Sequence, residues 1–594
     1  MLEQRKRMFK TAALIMFPLI LVAVIRCAPV KGRDLMEYIN NLTDDLAKDP
    51  LGFRWSIRIL PAVLGFSFIY FMVWLIIISS MKNTRPGEEH GSAKWVDPRH
   101  ISKMLKAKKG NKTLKKHQRD IIFTENVRVA IDSKCDNINT LIIGGAGRLK
   151  TRGFIIPNII QLNCNPVVTD PKGEILRKTG KLLEDSGYEV RVLDLVEHNK
   201  SFGYNPFPYF RNDDDILLFV NNMWAAMSDK TAAKGEQIWD DQARNMMMSF
   251  CLFLYHYAPA DEQNMDSVIT IFINIDDSEQ KKEPDPVDRM FDRIDHSDTA
   301  YTYYKMWSAA KGRTLASIRA TFSARMSVFN LESMKKLTFK DEMNILDLAT
   351  KKVAVFMIIP DSNSVYNFLA GTLYTQMFQQ LYDYADHKVK GPLPRHVRFF
   401  MDEFANIALP DDYQRILSTS RSRNISFVIV LQDKQQIEAI FEKYYRTIYG
   451  NCAWQLFLGT LELETCKYYS ELLGKETTIG YTYTKQYGSK GGSSRQTQLI
   501  ERDLMKPDEL RGLPKERCVL YTPYYGVALD NKYNLSIHPF YERIADREGD
   551  TPYDWGKTPL VIGSVSVVDN RYSGRITPLP KADGYLMDTL EYDG

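Results

Sequence analysis

A lysine and a threonine at 150–151, closing the octet GGAGRLKT at 144–151, carry the most chemistry in this sequence. The apolar run TLII at 140–143 leads straight into the octet, and RGFIIPNIIQ at 152–161 follows with the pattern of a helix that has an apolar face. Strand, glycine-rich loop and helix in that order make a phosphate cradle, because successive backbone N–H groups and the helix start point at one anion. Gly144, Gly145, Ala146, Gly147, Arg148 and Leu149 would supply the loop. Lys150 would neutralise the β and γ oxygens of ATP, and the Thr151 hydroxyl would ligate Mg²⁺. The pattern GxxxxGK[ST] is met with one departure: Leu149 stands where glycine is expected, and its Cβ either clashes with the tight turn or forces a variant one.

Two further segments suit the same chemistry. VRFFMDE at 397–403 is an apolar strand ending in two acids. Asp402 would hold the Mg²⁺ shell through water, and Glu403 would polarise the attacking water. A second apolar run at 427–431 ends in Gln432, placed to sense a γ-phosphate. Singly, each suits an edge strand that ends in a solvated turn; with Lys150 and Thr151 they point to nucleotide hydrolysis. Other chemistries lack support, since the nine histidines form no HExxH, no GxSxG occurs, and the seven cysteines are scattered as reduced thiols without a CxxC pair.

The elements that must position these residues follow from the pattern. Short β-rich runs alternate with helical segments, which predicts an α/β fold with a mainly parallel sheet and nucleotide at the carboxyl ends of its strands. Residues 212–343 read as almost entirely helical, so the nucleotide-binding domain is expected in two parts, 121–211 and 344–545, around an all-helical domain. Met246, Met247 and Met248 within it suit a core better than a ligand groove. With 594 residues, 44% hydrophobic and 25% charged, the chain has ordinary globular composition and length for three or four units, which excludes a lone binding module. Lysine and arginine (78) barely exceed aspartate and glutamate (73), so overall charge names no polyanionic partner.

The amino-terminal residues 1–82 read as a membrane anchor. Residues 59–79 carry no charge and as a helix would be about 31 Å long, matching a bilayer core. A shorter run at 11–25, extended to 27 by snorkelling of Arg26, predicts a first span. Its rival is a cleaved signal peptide, disfavoured by Arg26 beside Ala28, the one plausible cleavage site; for the pair, the rival is a hairpin of core helices. Basic residues before the first run and after the second place both ends inside, giving a multi-pass protein of the plasma (inner) membrane with a cytoplasmic body. The linker 83–120 is basic: from 94 to 119 it has ten lysines and arginines against Asp97. That charge suits anionic lipid, a phosphate backbone or a solvated helix face.

Several motifs in order resemble those of the type IV secretion coupling proteins, the TraG/TraD-like conjugation ATPases. They are GSAKW at 91–95, GGAGRLKTR at 144–152, TDPKGE at 169–174, YNPF at 204–207, MDEFANI at 401–407, STSRSRNISF at 418–427, LQDKQQI at 431–437 and RDLMKPDELRGL at 502–513. The resemblance implies a membrane-anchored, homo-hexameric RecA-like P-loop NTPase with an all-helical domain at the mouth of a central channel. Its cofactors would be ATP and Mg²⁺. Its partners would be relaxase-bound DNA, expected single-stranded, relaxosome proteins and the components of the secretion channel. By position, Lys150 and Thr151 match Walker A, Asp402 and Glu403 match Walker B, and Gln432 matches a γ-phosphate sensor. Arg421 or Arg423 matches an arginine finger reaching a neighbouring subunit, unless both belong to a basic helix face. Asp170 and Lys172 match a motif near the nucleotide.

Two other functions compete with a DNA-translocating ATPase: a substrate receptor or scaffold silenced at Leu149, and a chromosome translocase of the FtsK kind, which the DPKG, DEFANI and STSRSRN motifs disfavour. The segment 481–495, rich in Gly, Ser and Tyr, reads as a mobile loop or hairpin, and 546–594 as a tail outside the core.

Overall fold

The computed structural model describes residues 16–18, 34–49, 60–80, 88–106, 118–131, 137–227, 237–275, 285–360, 365–407, 409–410, 413–485 and 493–556. The chain divides into two compact units, Met1–Lys94 with Leu473–Leu504, and Trp95–Leu472 with Met505–Gly594.

The larger unit is built on a nine-stranded sheet. A two-stranded ribbon, β1 (Asp120–Ile122) and β2 (Arg128–Ala130), precedes it. The sheet then takes β3 (Thr140–Gly144), β4 (Asn165–Thr169), β5 (Glu189–Asp194), β6 (Val353–Ile358), β7 (Val397–Met401), β8 (Ile425–Leu431) and β9 (Trp454–Gly459). After β10 (Lys475–Lys485) and β11 (Ser493–Asp503), which belong to the smaller unit, β12 (Arg517–Thr522) and β13 (Gly526–Asn531) complete it. The spatial order is β13-β12-β9-β3-β8-β7-β4-β6-β5. Every pair from β9 to β5 is parallel, and β12 and β13 add an antiparallel edge. The expected mainly parallel sheet is therefore present. Its inner strands VAVFMI, VRFFM and ISFVIVL are buried at every position, as parallel strands covered on both faces must be.

This order positions the chemistry. β3, β8 and β7 are neighbours running the same way, so the segments after them leave from one carboxyl edge: 145–151, Gln432, and Asp402 with Glu403. Between β5 and β6 the chain is helical, with no strand among the described residues of 212–343. Helix starts there are capped by Asn212, Asn264, Asp285 and Asp298, whose side chains accept N–H groups of the first turns. Met246, Met247 and Met248 lie in the core of this region, on the helix Gln237–Tyr257.

The residues expected to begin a tail at 546 belong to the body as far as 556. Asp546 pairs with Arg152 at 2.8 Å and Lys178 at 3.0 Å. The ring of Tyr553 lies on Gly180 in the helix Glu174–Asp185, where a Cβ would stand 2.2 Å from Tyr553 Cδ1. Trp555 donates to Asp194 at 3.2 Å. The rest, 557–594, lies outside the described residues.

In the smaller unit β10 and β11 form an antiparallel hairpin, registered from Lys475 opposite Asp503 to Lys485 opposite Ser493. Of the segment expected as loop or hairpin, 481–485 and 493–495 are thus paired strand, and 486–492 lie outside the described residues. Gly91, Ser92 and Ala93 join its open end, with Ala93 N donating to Lys475 O at 2.9 Å. The charge-free run forms the 21-residue helix Leu60–Ser80, whose described side chains lie between Leu64 and Leu75. Among the described residues no helix is long and apolar enough to cross a membrane. The earlier run at 11–25 lies outside them apart from 16–18.

Candidate nucleotide site

The loop after β3 folds as a cradle despite its leucine. Gly147 has φ 71° and Leu149 has φ 63°, so both take the left-handed conformation that glycine adopts freely. Leu149 therefore keeps the backbone shape that the expected glycine would give, with strain in place of a different turn. Gly144 leaves little room: a Cβ there would meet Leu458 Cβ at 3.0 Å. Gly145 N donates to Gly459 O at 3.0 Å, tying the loop to the end of β9. Lys150 Nζ reaches back to Gly144 O at 2.8 Å, which holds its ammonium against the loop it would serve. The helix that follows opens with a π turn, Thr151–Ile155, before the α turn Ile156–Ile159.

Thr151 Oγ1 donates to Asp402 Oδ2 at 2.9 Å, bringing the end of the loop against the end of β7. Asp402 is 6% exposed. Burial pushes its carboxyl up to about 6, and the nearby Glu403 adds to this, while the Thr151 hydroxyl and the Lys150 charge oppose it. Glu403 takes a left-handed φ of 50°, turning the chain sharply after Asp402. Gln432 Nε2 donates to both Glu403 carboxylate oxygens at 3.2 Å. Lys150, Thr151, Asp402, Glu403 and Gln432 are thus linked at one edge of the sheet.

Asp170, after β4, is the next carboxyl along. Its Oδ2 accepts Leu176 N at 2.8 Å within the helix start, and burial raises it to about 7. Gly173 at φ 66° completes that turn, which gives the DPKG motif a structural use. Arg421 and Arg423 lie elsewhere, in the turn Ser420–Arg423 that precedes β8, at the opposite edge of the sheet. Arg423 grips Asp386 through Nε at 2.9 Å and Nη2 at 2.6 Å, and its guanidinium stands 4.4 Å from the Tyr382 ring centre.

One site residue had no signal in the sequence. Lys532, just past β13 and 7% exposed, donates to Arg148 O at 3.0 Å and Leu458 O at 2.8 Å. It fastens the carbonyl next to the strained Leu149. Burial pushes its ammonium down to about 8.

The donor set suits a nucleotide carrying Mg²⁺: a hydroxyl and a buried carboxylate for the ion, and an ammonium and loop N–H groups for phosphate. Comparison with known proteins agrees. The family model for Type IV secretory system Conjugative DNA transfer matches residues 97–525, well over half of the chain. No match is found among curated proteins. Among solved structures, the unbound bacterial conjugative coupling protein TrwBdeltaN70 is 14% identical with a TM-score of 0.52, over 76% of this chain and 96% of that one. Plasmid coupling protein TrwB with the ATP analogue ADPNP is 13% identical, TM-score 0.54, over 76% and 97%. The same protein with ADP and Mg²⁺ is 14% identical, TM-score 0.53, over 76% and 96%. These likenesses establish the fold, the RecA-like α/β architecture expected from the motifs. The family match, with the motifs on which the resemblance rested, establishes that the chain belongs to the conjugative DNA-transfer family of type IV secretion systems.

Proposed function

We propose that this protein is a membrane-anchored coupling ATPase that recruits relaxase-bound DNA to a type IV secretion channel and drives its transfer by hydrolysing ATP. The supporting observation is the 2.9 Å hydrogen bond from Thr151 to Asp402, which joins the phosphate loop to the acidic strand end. On nucleotide binding, Lys150 exchanges the Gly144 carbonyl for phosphate oxygens. Mg²⁺ brought with the nucleotide would supply Lewis-acid charge at the phosphates, held by Thr151 and, through water, by Asp402, since no group of three or more His, Cys, Asp or Glu among the described residues makes a metal site alone. Gln432 holds the Glu403 carboxylate, which orients the attacking water and receives its proton.

The working form is a homo-hexamer in which an arginine of one subunit reaches the nucleotide of the next. Arg421 or Arg423 is the candidate for that role, and Arg423 would have to exchange Asp386 for phosphate. The anchor is read from the sequence, as the charge-free run at 59–79 with the run at 11–25, which leaves the larger unit in the cytoplasm at the inner membrane. A silenced receptor is the second reading, prompted by Leu149; the left-handed φ there favours a working loop, because the cradle keeps its shape. Conjugative transfer from a deletion strain tests the proposal. Full-length wild type restores transfer, Lys150→Ala does not, and chromosome segregation is normal throughout; rescue by Lys150→Ala would count against an ATP-driven role.

A further inference from the structure

Beside the residues that enter β3, β8 and β9, the larger unit carries an open cavity of about 770 Å³. Its walls come from residues before β3, β8 and β9, from Lys434 just past β8, from the helix Leu463–Leu473 after β9 and from the end of β12 with the turn after it, and its size suits a small organic ligand. Tyrosines dominate it: Tyr445, Tyr449, Tyr468, Tyr521 and Tyr524. The Tyr449 and Tyr468 rings lie 5.4 Å apart, and Tyr524 is 63% exposed. The charges are cationic on the same rings. Lys434, paired with Glu438, stands 5.4 Å from the Tyr445 ring centre and 5.3 Å from that of Tyr468. Exposed Arg446 donates to the Tyr445 hydroxyl at 3.0 Å.

Two buried polar atoms in this lining are unused. Tyr449 is 4% exposed and Gln455 is 5% exposed, yet the Tyr449 hydroxyl and Gln455 Oε1 have no hydrogen-bond partner. The amide is held in place from its other end, where Gln455 Nε2 donates to Tyr449 O at 3.4 Å. Unpaired buried groups of this kind are costly unless a ligand satisfies them. Aromatic faces, cations and an unpaired donor and acceptor are together what a nucleotide requires: stacking for the base, charge for the phosphate and hydrogen bonds for the base edge.

We propose that this cavity is a second nucleotide site, holding one base among the tyrosines with its polar edge on Tyr449 and Gln455 and its phosphate toward Arg446. The chemistry is the same for a nucleotide of a DNA strand and for a free mononucleotide; only the strand as source rests on the DNA-transfer function proposed above. The test uses the full chain in detergent, carrying Lys150→Ala to silence the phosphate loop, with a fluorescein-labelled deoxythymidine oligonucleotide and dTMP as separate probes. Tyr449→Phe keeps the ring and removes an unpaired hydroxyl, so it should not lower the melting temperature, while affinity falls on the order of five- to tenfold. Arg446→Gln should weaken binding as well. Loss with the oligonucleotide assigns the site to the strand, and loss with dTMP alone assigns it to free nucleotide. Unchanged affinity for both probes in both variants overturns the site. If no form binds the oligonucleotide, the DNA-handling function fails and the dTMP arm still decides the cavity.

Discussion

Leu149 is strained by a left-handed φ of 63° at a position where the loop pattern expects glycine. A left-handed φ costs a non-glycine residue about 1–2 kcal/mol, partly offset in a Leu149→Gly variant by the greater entropy glycine loses on folding. That variant should therefore unfold at an equal or higher temperature, by up to about 1 kcal/mol in stability, and calorimetry would show it; a clear loss of stability would mean that the leucine side chain is needed for packing. Asp402 gives a pH dependence of definite sign. Its folded value of about 6 lies above the ordinary carboxylate range, so between about pH 4 and 6 the folded state binds more protons than the unfolded one and stability falls as pH rises. Asp402→Asn should reduce that slope in denaturation midpoints without abolishing it, leaving the larger contribution of Asp170, which continues to about pH 7. Binding of ADP with Mg²⁺ should weaken below about pH 6, where Asp402 is protonated, while Mg²⁺-free ADP binding holds steady. Asp402, Glu403 and Gln432 were legible because they follow apolar strand runs, and Lys150 and Thr151 because they close the glycine-rich octet. Lys532 was not, because its partner Arg148 is 384 residues away and nothing near Lys532 marks it.

At the scale of elements, strands β3, β7, β8 and β9 were readable as uninterrupted apolar runs bounded by glycine or polar residues. Their spatial order was not readable, since it rests on crossovers whose pairing partners lie far apart in sequence. The helical character of 212–343 showed in its periodicity. The attachment of 546–556 did not, because Tyr553 and Trp555 find their partners on elements some 360 residues earlier, Glu184 and Asp194. Gly180 is the element-scale test. An alanine there is a better helix former, yet its Cβ would collide with the Tyr553 ring. Gly180→Ala should lose about 1–3 kcal/mol in urea unfolding, and Gly180→Ala with Tyr553→Ala should lose less than the two changes summed. Simple additivity would show that the segment does not rest on this helix.

At the scale of the whole molecule, the phosphate loop and the acidic strand end share one edge of the sheet, and the Ser420–Arg423 turn, which lines the tyrosine-rich cavity through Arg421, lies at the other. A ring in which one subunit's amino edge meets the next subunit's carboxyl edge would bring these together, giving each ATP two subunits to act upon. On the function proposed above, the protein turns over ATP under the control of DNA. The most direct measurement is steady-state ATP hydrolysis by the full chain in detergent, with and without single-stranded DNA, for wild type, Lys150→Ala, Glu403→Gln and Leu149→Gly. Turnover stimulated by DNA, abolished by the first two changes and retained by the third, is the predicted result. Absence of turnover in wild type, restored by Leu149→Gly, would contradict it and leave a coupling receptor silenced at a single residue.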